Sequence, residues 1–256
     1  MLMPAELALM LGLGAAMGFL GGLFGIGGGV IVIPLLVLGF GMEQPLAQGT
    51  ALVMMVPNLL IAWLRYSQRY PVPFKTVLQI GVLACATTWL MAHFATRLPS
   101  QWMGTVFSLF LLGLSLRMLT TSKAPLEGLP TKKQRDLRWM PLVGVVGGGS
   151  MGLLGVGGGL VATPIFNGWF GQRQTVSQSL SLALVAPSSI IALLTYSHAG
   201  RVDWAMGLPL AAGGLFTVSL GVTVAHRLPE QKMRAAFAWM VLCTATWMLA
   251  KPWLLR

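Results

Sequence analysis

Residues 18–36 read GFLGGLFGIGGGVIVIPLL, and residues 148–166 read GGSMGLLGVGGGLVATPIF. The stretches align without a gap at an offset of 130. Eight of nineteen positions are identical: Gly18/Gly148, Gly22/Gly152, Leu23/Leu153, Gly25/Gly155, Gly27/Gly157, Gly28/Gly158, Gly29/Gly159 and Pro34/Pro164. The same offset pairs Gln44 with Gln174, Gln48 with Gln178, Pro57 with Pro187 and Tyr66 with Tyr196. Further on it pairs Arg97-Leu98-Pro99 with Arg227-Leu228-Pro229, Gln101 with Gln231, and Met118-Leu119 with Met248-Leu249. A duplication with one glycine-broken apolar segment in each half points to a solute-binding site built at the breaks.

Composition places the chain in a membrane. Of 256 residues, 55% are hydrophobic and 9% charged, with mean hydropathy +0.77. A water-facing domain carries about 25% charged residues. The acidic residues are Glu6, Glu43, Glu127, Asp136, Asp203 and Glu230, all near segment ends or in loops, as burial costs demand. The net charge of +11 comes from cations lying between apolar stretches. That placement sets topology and attracts anionic lipid headgroups; it does not indicate nucleic acid. Cys85 and Cys243 lie inside apolar stretches at non-equivalent repeat positions, which supports neither a disulfide nor a metal site. No cofactor motif is present, because the GxGGG runs lack the Lys-Ser/Thr of a phosphate loop and any flanking strand pattern. The N-terminal segment lacks a basic leader and reads as a retained membrane segment.

Apolar runs cover about 5–24, 30–41, 47–64, 76–96 and 101–119, then recur at about 140–154, 160–171, 177–195, 205–225 and 235–250. The expected organisation is a first transmembrane repeat (1–121), a polar inter-repeat loop (122–139) and a second repeat (140–256). The expected fold is all-α and polytopic. Glycine costs about 1 kcal/mol per residue inside a helix, so the triplets should break it. Pro34 and Pro164 follow about one turn later, where a missing N–H is best tolerated. The broken pair forms either a hairpin, which inverts the second half relative to the first, or one interrupted crossing, which leaves the halves parallel. Inversion puts thirteen of the seventeen Lys and Arg on one face and the parallel arrangement twelve. The charge bias and the short second segments both favour inversion.

Unwound backbone inside a bilayer must face protein or a wet cavity. Helices starting after Gly29 and Gly159 would direct free N–H groups and a partial positive charge inward. Two such ends facing one cavity would bind an anion without a buried Lys or Arg. The candidate substrate-binding residues are Gly25, Gly27, Gly28, Gly29, Gln48, Gly155, Gly157, Gly158, Gly159, Thr163 and Gln178. Gln48 and Gln178 are the amides retained at equivalent positions of the third segments and can donate to an oxyanion. The competing reading for both is interhelical hydrogen bonding. The upstream glycines at four-residue spacing, Gly14, Gly18 and Gly22 with Gly144, Gly148 and Gly152, read as close helix packing. Tyr66 and Tyr196, which close the third segments, read as membrane-interface anchors. No cluster of carboxylates, histidines or a nucleophile with its base marks an enzyme.

The two glycine motifs with their prolines, the Arg-Leu-Pro corner and Gly200-Arg201-Val202-Asp203-Trp204 resemble the TauE/SafE sulfite exporter family, also called TSUP permeases or DUF81 proteins. The first half departs from the last motif, with Tyr70-Pro71-Val72-Pro73-Phe74 in its place. The resemblance implies an inner-membrane permease for sulfur-containing or organic anions such as sulfite or sulfonates. Its partners would be that small anion and membrane lipids, and the sequence admits H+ or Na+ as coupling ion and a homo-oligomer. Alternating access between two halves is the expected mechanism; an anion channel or a non-transporting membrane subunit are the alternatives.

Overall fold

The computed structural model describes residues 4–24, 28–121, 137–172, 174–225 and 230–254. Its elements are α1 (Pro4–Phe24), α2 (Gly29–Gly39), α3 (Gln44–Arg69), α4 (Phe74–Ala95) and α5 (Ser100–Thr121). A single 3-10 turn (Leu137–Trp139) then precedes α6 (Pro141–Leu154), α7 (Gly159–Phe170), α8 (Gln174–His198), α9 (Trp204–Ala225) and α10 (Glu230–Leu254). No strand occurs among the described residues. Most of the polar loop, 122–136, lies outside them, as do Arg173 and Arg227-Leu228-Pro229.

α3, α4, α5, α8 and α9 are long and apolar enough to cross a bilayer, whose core is about 30 Å thick. The chain is a multi-pass helical membrane protein. α3 and α8 form its centre, with 61% of each span buried, against 28% for α4 and α5 and 33% for α9. The outer helices turn Phe74, Leu78, Val82, Trp89, Phe94, Phe216 and Leu220 outward. An apolar exterior of this kind is solvated by lipid tails.

The small-residue stripes act as the spacing suggested. Gly144, Gly148 and Gly152 of α6 lie against the backbone of Ile80, Ala84 and Thr88 of α4, and none leaves room for a Cβ. Gly14 and Gly18 of α1 lie the same way on Leu210 and Gly214 of α9, where Gly213 and Gly221 reciprocate on Leu11 and Phe19. Close approach lets side chains bond across: Thr88 Oγ1 donates to the Gly148 carbonyl at 2.9 Å and Thr217 Oγ1 to that of Ala15 at 2.6 Å. Lipid offers apolar helices no hydrophobic drive to associate, so such tight packing supplies the attraction.

The glycines that lead into α2 and α7 lie back against the preceding helices. Gly28 lies against the Met17 carbonyl and Gly21, and Gly158 lies on the Gly147 backbone. α3 and α8 run antiparallel, because Gln48 near the start of α3 meets Tyr196 near the end of α8, while Gln178 meets Tyr66 at the other end.

The loop between α8 and α9 closes over the start of α3. The Asp203 N–H donates to Thr50 Oγ1 at 3.0 Å, and exposed Arg201 pairs with Glu43 at 2.8 Å. Asp203 is the N-cap of α9, its Oδ1 accepting from the Met206 N–H at 3.1 Å. That local role needs no counterpart in the first half. Asp203→Asn keeps the acceptor and should unfold at the wild-type temperature, whereas Asp203→Ala should lose about 1 kcal/mol in thermal unfolding.

Candidate functional site

Each break is shaped by a glycine in the left-handed region, Gly28 at φ 83° and Gly155 at φ 63°. Other residues rarely adopt that conformation. Gly28 leads directly into α2, its carbonyl accepting from the N–H groups of Ile31 and Val32, both at 3.0 Å. Gly155 ends α6, with its N–H donating to the Met151 carbonyl at 3.0 Å. Gly157 and Gly158 then start α7: the Gly157 carbonyl accepts from Leu160 at 3.1 Å, and that of Gly158 from Ala162 at 2.8 Å. Gly25 and Gly27 lie outside the described residues.

The two breaks meet. A Cβ on Gly29 would stand 3.4 Å from the Gly155 carbonyl oxygen. The first turn of α2, with the partial positive charge of a helix start, therefore abuts the turn between α6 and α7. Met55 Sδ lies directly on Gly29, and Met54 Cε covers Gly28. Methionine repacks more readily than any other core side chain, so this cover can yield. Gly159 is roomier: its nearest neighbours, Ser181 and Val185 of α8, lie at ordinary contact distance from a built Cβ.

Gln48 joins this group from α3. Its side-chain stem lies on Gly155, 3.1 Å from where a Cβ would stand, and the residue is 0% exposed. Its Oε1 accepts from the Tyr196 hydroxyl at 2.9 Å, but its buried Nε2 has no partner. Leaving such a donor unmatched costs about 1–3 kcal/mol. Gln178 holds the corresponding place on α8 and accepts from Tyr66 at 3.1 Å in a half-buried setting. Thr163 belongs to neither pair; its hydroxyl donates to Ser181 Oγ at 2.9 Å and ties α7 to α8.

Most other polar groups of the third segments bond backbone or neighbouring helices. Ser188 and Ser189 donate to carbonyls of their own helix, Ser179 to the Tyr70 carbonyl and Ser177 to that of Gln172. Asn58 Oδ1 and both side-chain polar atoms of Gln44 are buried without partners.

Tyr196 corrects the sequence reading. Tyr196 is 0% exposed and is no interface anchor; its hydroxyl bonds Gln48 and also faces the Gly152 carbonyl at 3.2 Å. The available signal was the common spacing. Gln48 precedes Tyr66 by 18 residues, as Gln178 precedes Tyr196. Two antiparallel helices of that pattern bring each glutamine to the other's tyrosine.

A lipid-facing helical shell whose apolar core also buries Gln48, Thr50, Asn58 and several serines fits a membrane transporter. The model of the family described as "Sulfite exporter TauE/SafE" matches residues 10–248, and the chain belongs to that family. It is similar to a probable membrane transporter protein of Xylella fastidiosa, 24% identical over 254 residues and covering 97% of both chains. A probable membrane transporter protein of Methanocaldococcus jannaschii is 25% identical, with 89% of this chain and 90% of the relative covered. The probable membrane transporter protein YunE of Bacillus subtilis is 25% identical, with 84% and 87% covered. No solved structure matches the chain.

Proposed function

We propose that this transporter is a secondary permease that moves small sulfur-containing or organic anions, sulfite or sulfonates among them, across the inner membrane by alternating access. The observation that carries this reading is the buried, unpartnered Gln48 Nε2 beside two helix breaks that meet. A group of N–H donors at a helix start suits an anion. The family's printed description supports sulfite as one candidate. The substrate site comprises Gly28, Gly29, Gln48, Gly155, Gly157, Gly158, Gly159, Thr163 and Gln178, together with Gly25 and Gly27. A coupling ion, H+ or Na+, would accompany the anion.

The halves 1–121 and 140–256 act as inverted repeats in this reading. Two facts support it: the crossed Tyr–Gln bonds, which make α3 and α8 antiparallel, and the exchange by which α1 packs on α9 while α6 packs on α4. Alternating access follows if the two Tyr–Gln ends open in turn. The full burial of the Tyr196–Gln48 end favours a carrier over an open pore.

Reconstitution of the purified chain tests the function. Saturable uptake of sulfite or a sulfonate, with competition among oxyanions, is expected. Absence of flux for every anion of a panel containing sulfite, sulfonates, thiosulfate and carboxylates would refute it. Topology has its own test: cysteines replacing Lys75 and Arg201 should be labelled from opposite sides of the membrane. Labelling of both from one side would exclude inversion.

A further inference from the structure

We propose that Tyr66 and Tyr196 set what the site accepts, by holding Gln178 and Gln48 so that their amide N–H groups, and not their carbonyls, are left for a ligand. This rests on the anion reading above. A glutamine amide carries both an acceptor oxygen and two N–H donors, and unrestrained it presents whichever a ligand needs. Neither glutamine is unrestrained here. The Tyr196 hydroxyl lies 2.9 Å from Gln48 Oε1 and 3.2 Å from the Gly152 carbonyl oxygen. A hydroxyl facing two acceptor oxygens is held as a donor. The Gly152 carbonyl is fixed in turn, since Gly152 is clamped against the α4 backbone at Thr88.

With Oε1 occupied, Nε2 is what remains, and in Gln48 it is buried with no partner. At the far end of α3, Tyr66 donates to Oε1 of half-buried Gln178 at 3.1 Å. Each tyrosine takes up one acceptor site of its glutamine, which tilts what the amide offers toward its N–H donors. A sulfonate or carboxylate, whose oxygens all accept, matches them. A neutral amide of the same shape brings N–H groups of its own and does not. The tyrosines are positioning residues, acting through the glutamines.

The test compares anions with neutral isosteres on the full-length protein in lipid nanodiscs: methanesulfonate with methanesulfonamide, and acetate with acetamide. Wild type should bind the anion of at least one pair about tenfold or more tighter than its neutral partner. In Tyr196→Phe the freed amide can turn its carbonyl to the ligand, or its NH2 toward Gly152, and the anion-to-neutral ratio should fall about tenfold. Tyr66→Phe should shift the ratio the same way, and it decides the matter if Tyr196→Phe does not fold. A merely structural role would weaken both members of a pair alike; an unchanged ratio in the folded variants overturns the proposal. If wild type binds neither anion, the anion reading itself fails and this inference with it.

Discussion

Gln48→Leu is expected to raise the KM for anion uptake about 10- to 100-fold, the worth of one hydrogen bond to a charged group. The amount of folded protein in the membrane should stay at the wild-type level. Leucine approximates the shape of glutamine, and the position is fully buried. The substitution removes a donor that has no partner within the protein, a change that is neutral or stabilising to the fold. The Tyr196 hydroxyl keeps the Gly152 carbonyl as acceptor. Stability and transport should therefore separate. Radiotracer uptake into vesicles, beside thermal unfolding of the same preparation, measures both. Loss of folding with loss of uptake would mean that Gln48 is a structural link between α3 and α8.

Gly148→Val should have the largest effect on stability. A Cβ there meets the Ala84 backbone and Thr87 Oγ1, so α6 and α4 must move apart. Overpacking costs about 1–3 kcal/mol, and loss of the Thr88 bond to the Gly148 carbonyl adds about 1 kcal/mol. The yield of monodisperse protein in detergent should collapse. Gly104→Ala on α5 has nothing within 4 Å of its new methyl group and should behave as wild type. Equal yields for the two variants would show that α6 is not held by close backbone contact.

The same steric argument decides which glycine substitutions inform about the site. Gly158→Leu would drive its side chain into the Gly147 backbone and open the α6–α7 hairpin, so lost transport would report only on folding. Gly159→Ala has space against Ser181 and Val185. It should fold, and it probes the first turn of α7 without disturbing the hairpin.

The helix ends were legible in the sequence because local chemistry sets them. Three glycines and a following proline interrupt a helix wherever they occur, and α2 and α7 begin at the third glycine of each triplet. Close packing was legible too, since glycines four apart share one helix face. Length does not decide between a hairpin and one crossing, because a broken pair fits both. The contacts of Gly28 with Met17 and of Gly158 with Gly147 favour the hairpin. Tyr196 departs from its sequence reading for a related reason. A Tyr at a helix end fits a membrane interface by residue type alone, whereas its bond to a glutamine 148 or 112 residues away is a property of helix arrangement. Ser188 and Ser189 of α8 are satisfied by carbonyls of their own helix, which residue type alone does not reveal.

In the function proposed above, the anion sits where the start of α2, the turn after α6 and the Gln48 amide converge. The most direct measurement is anomalous diffraction from crystals grown with the selenium analogue of a transported oxyanion. The selenium peak should lie with its oxygens in hydrogen-bond reach of Gln48 Nε2 and the first N–H groups of α2. A well-occupied peak at surface arginines or lysines, with the ground between Gly29, Gly155 and Gln48 left dry, would contradict it.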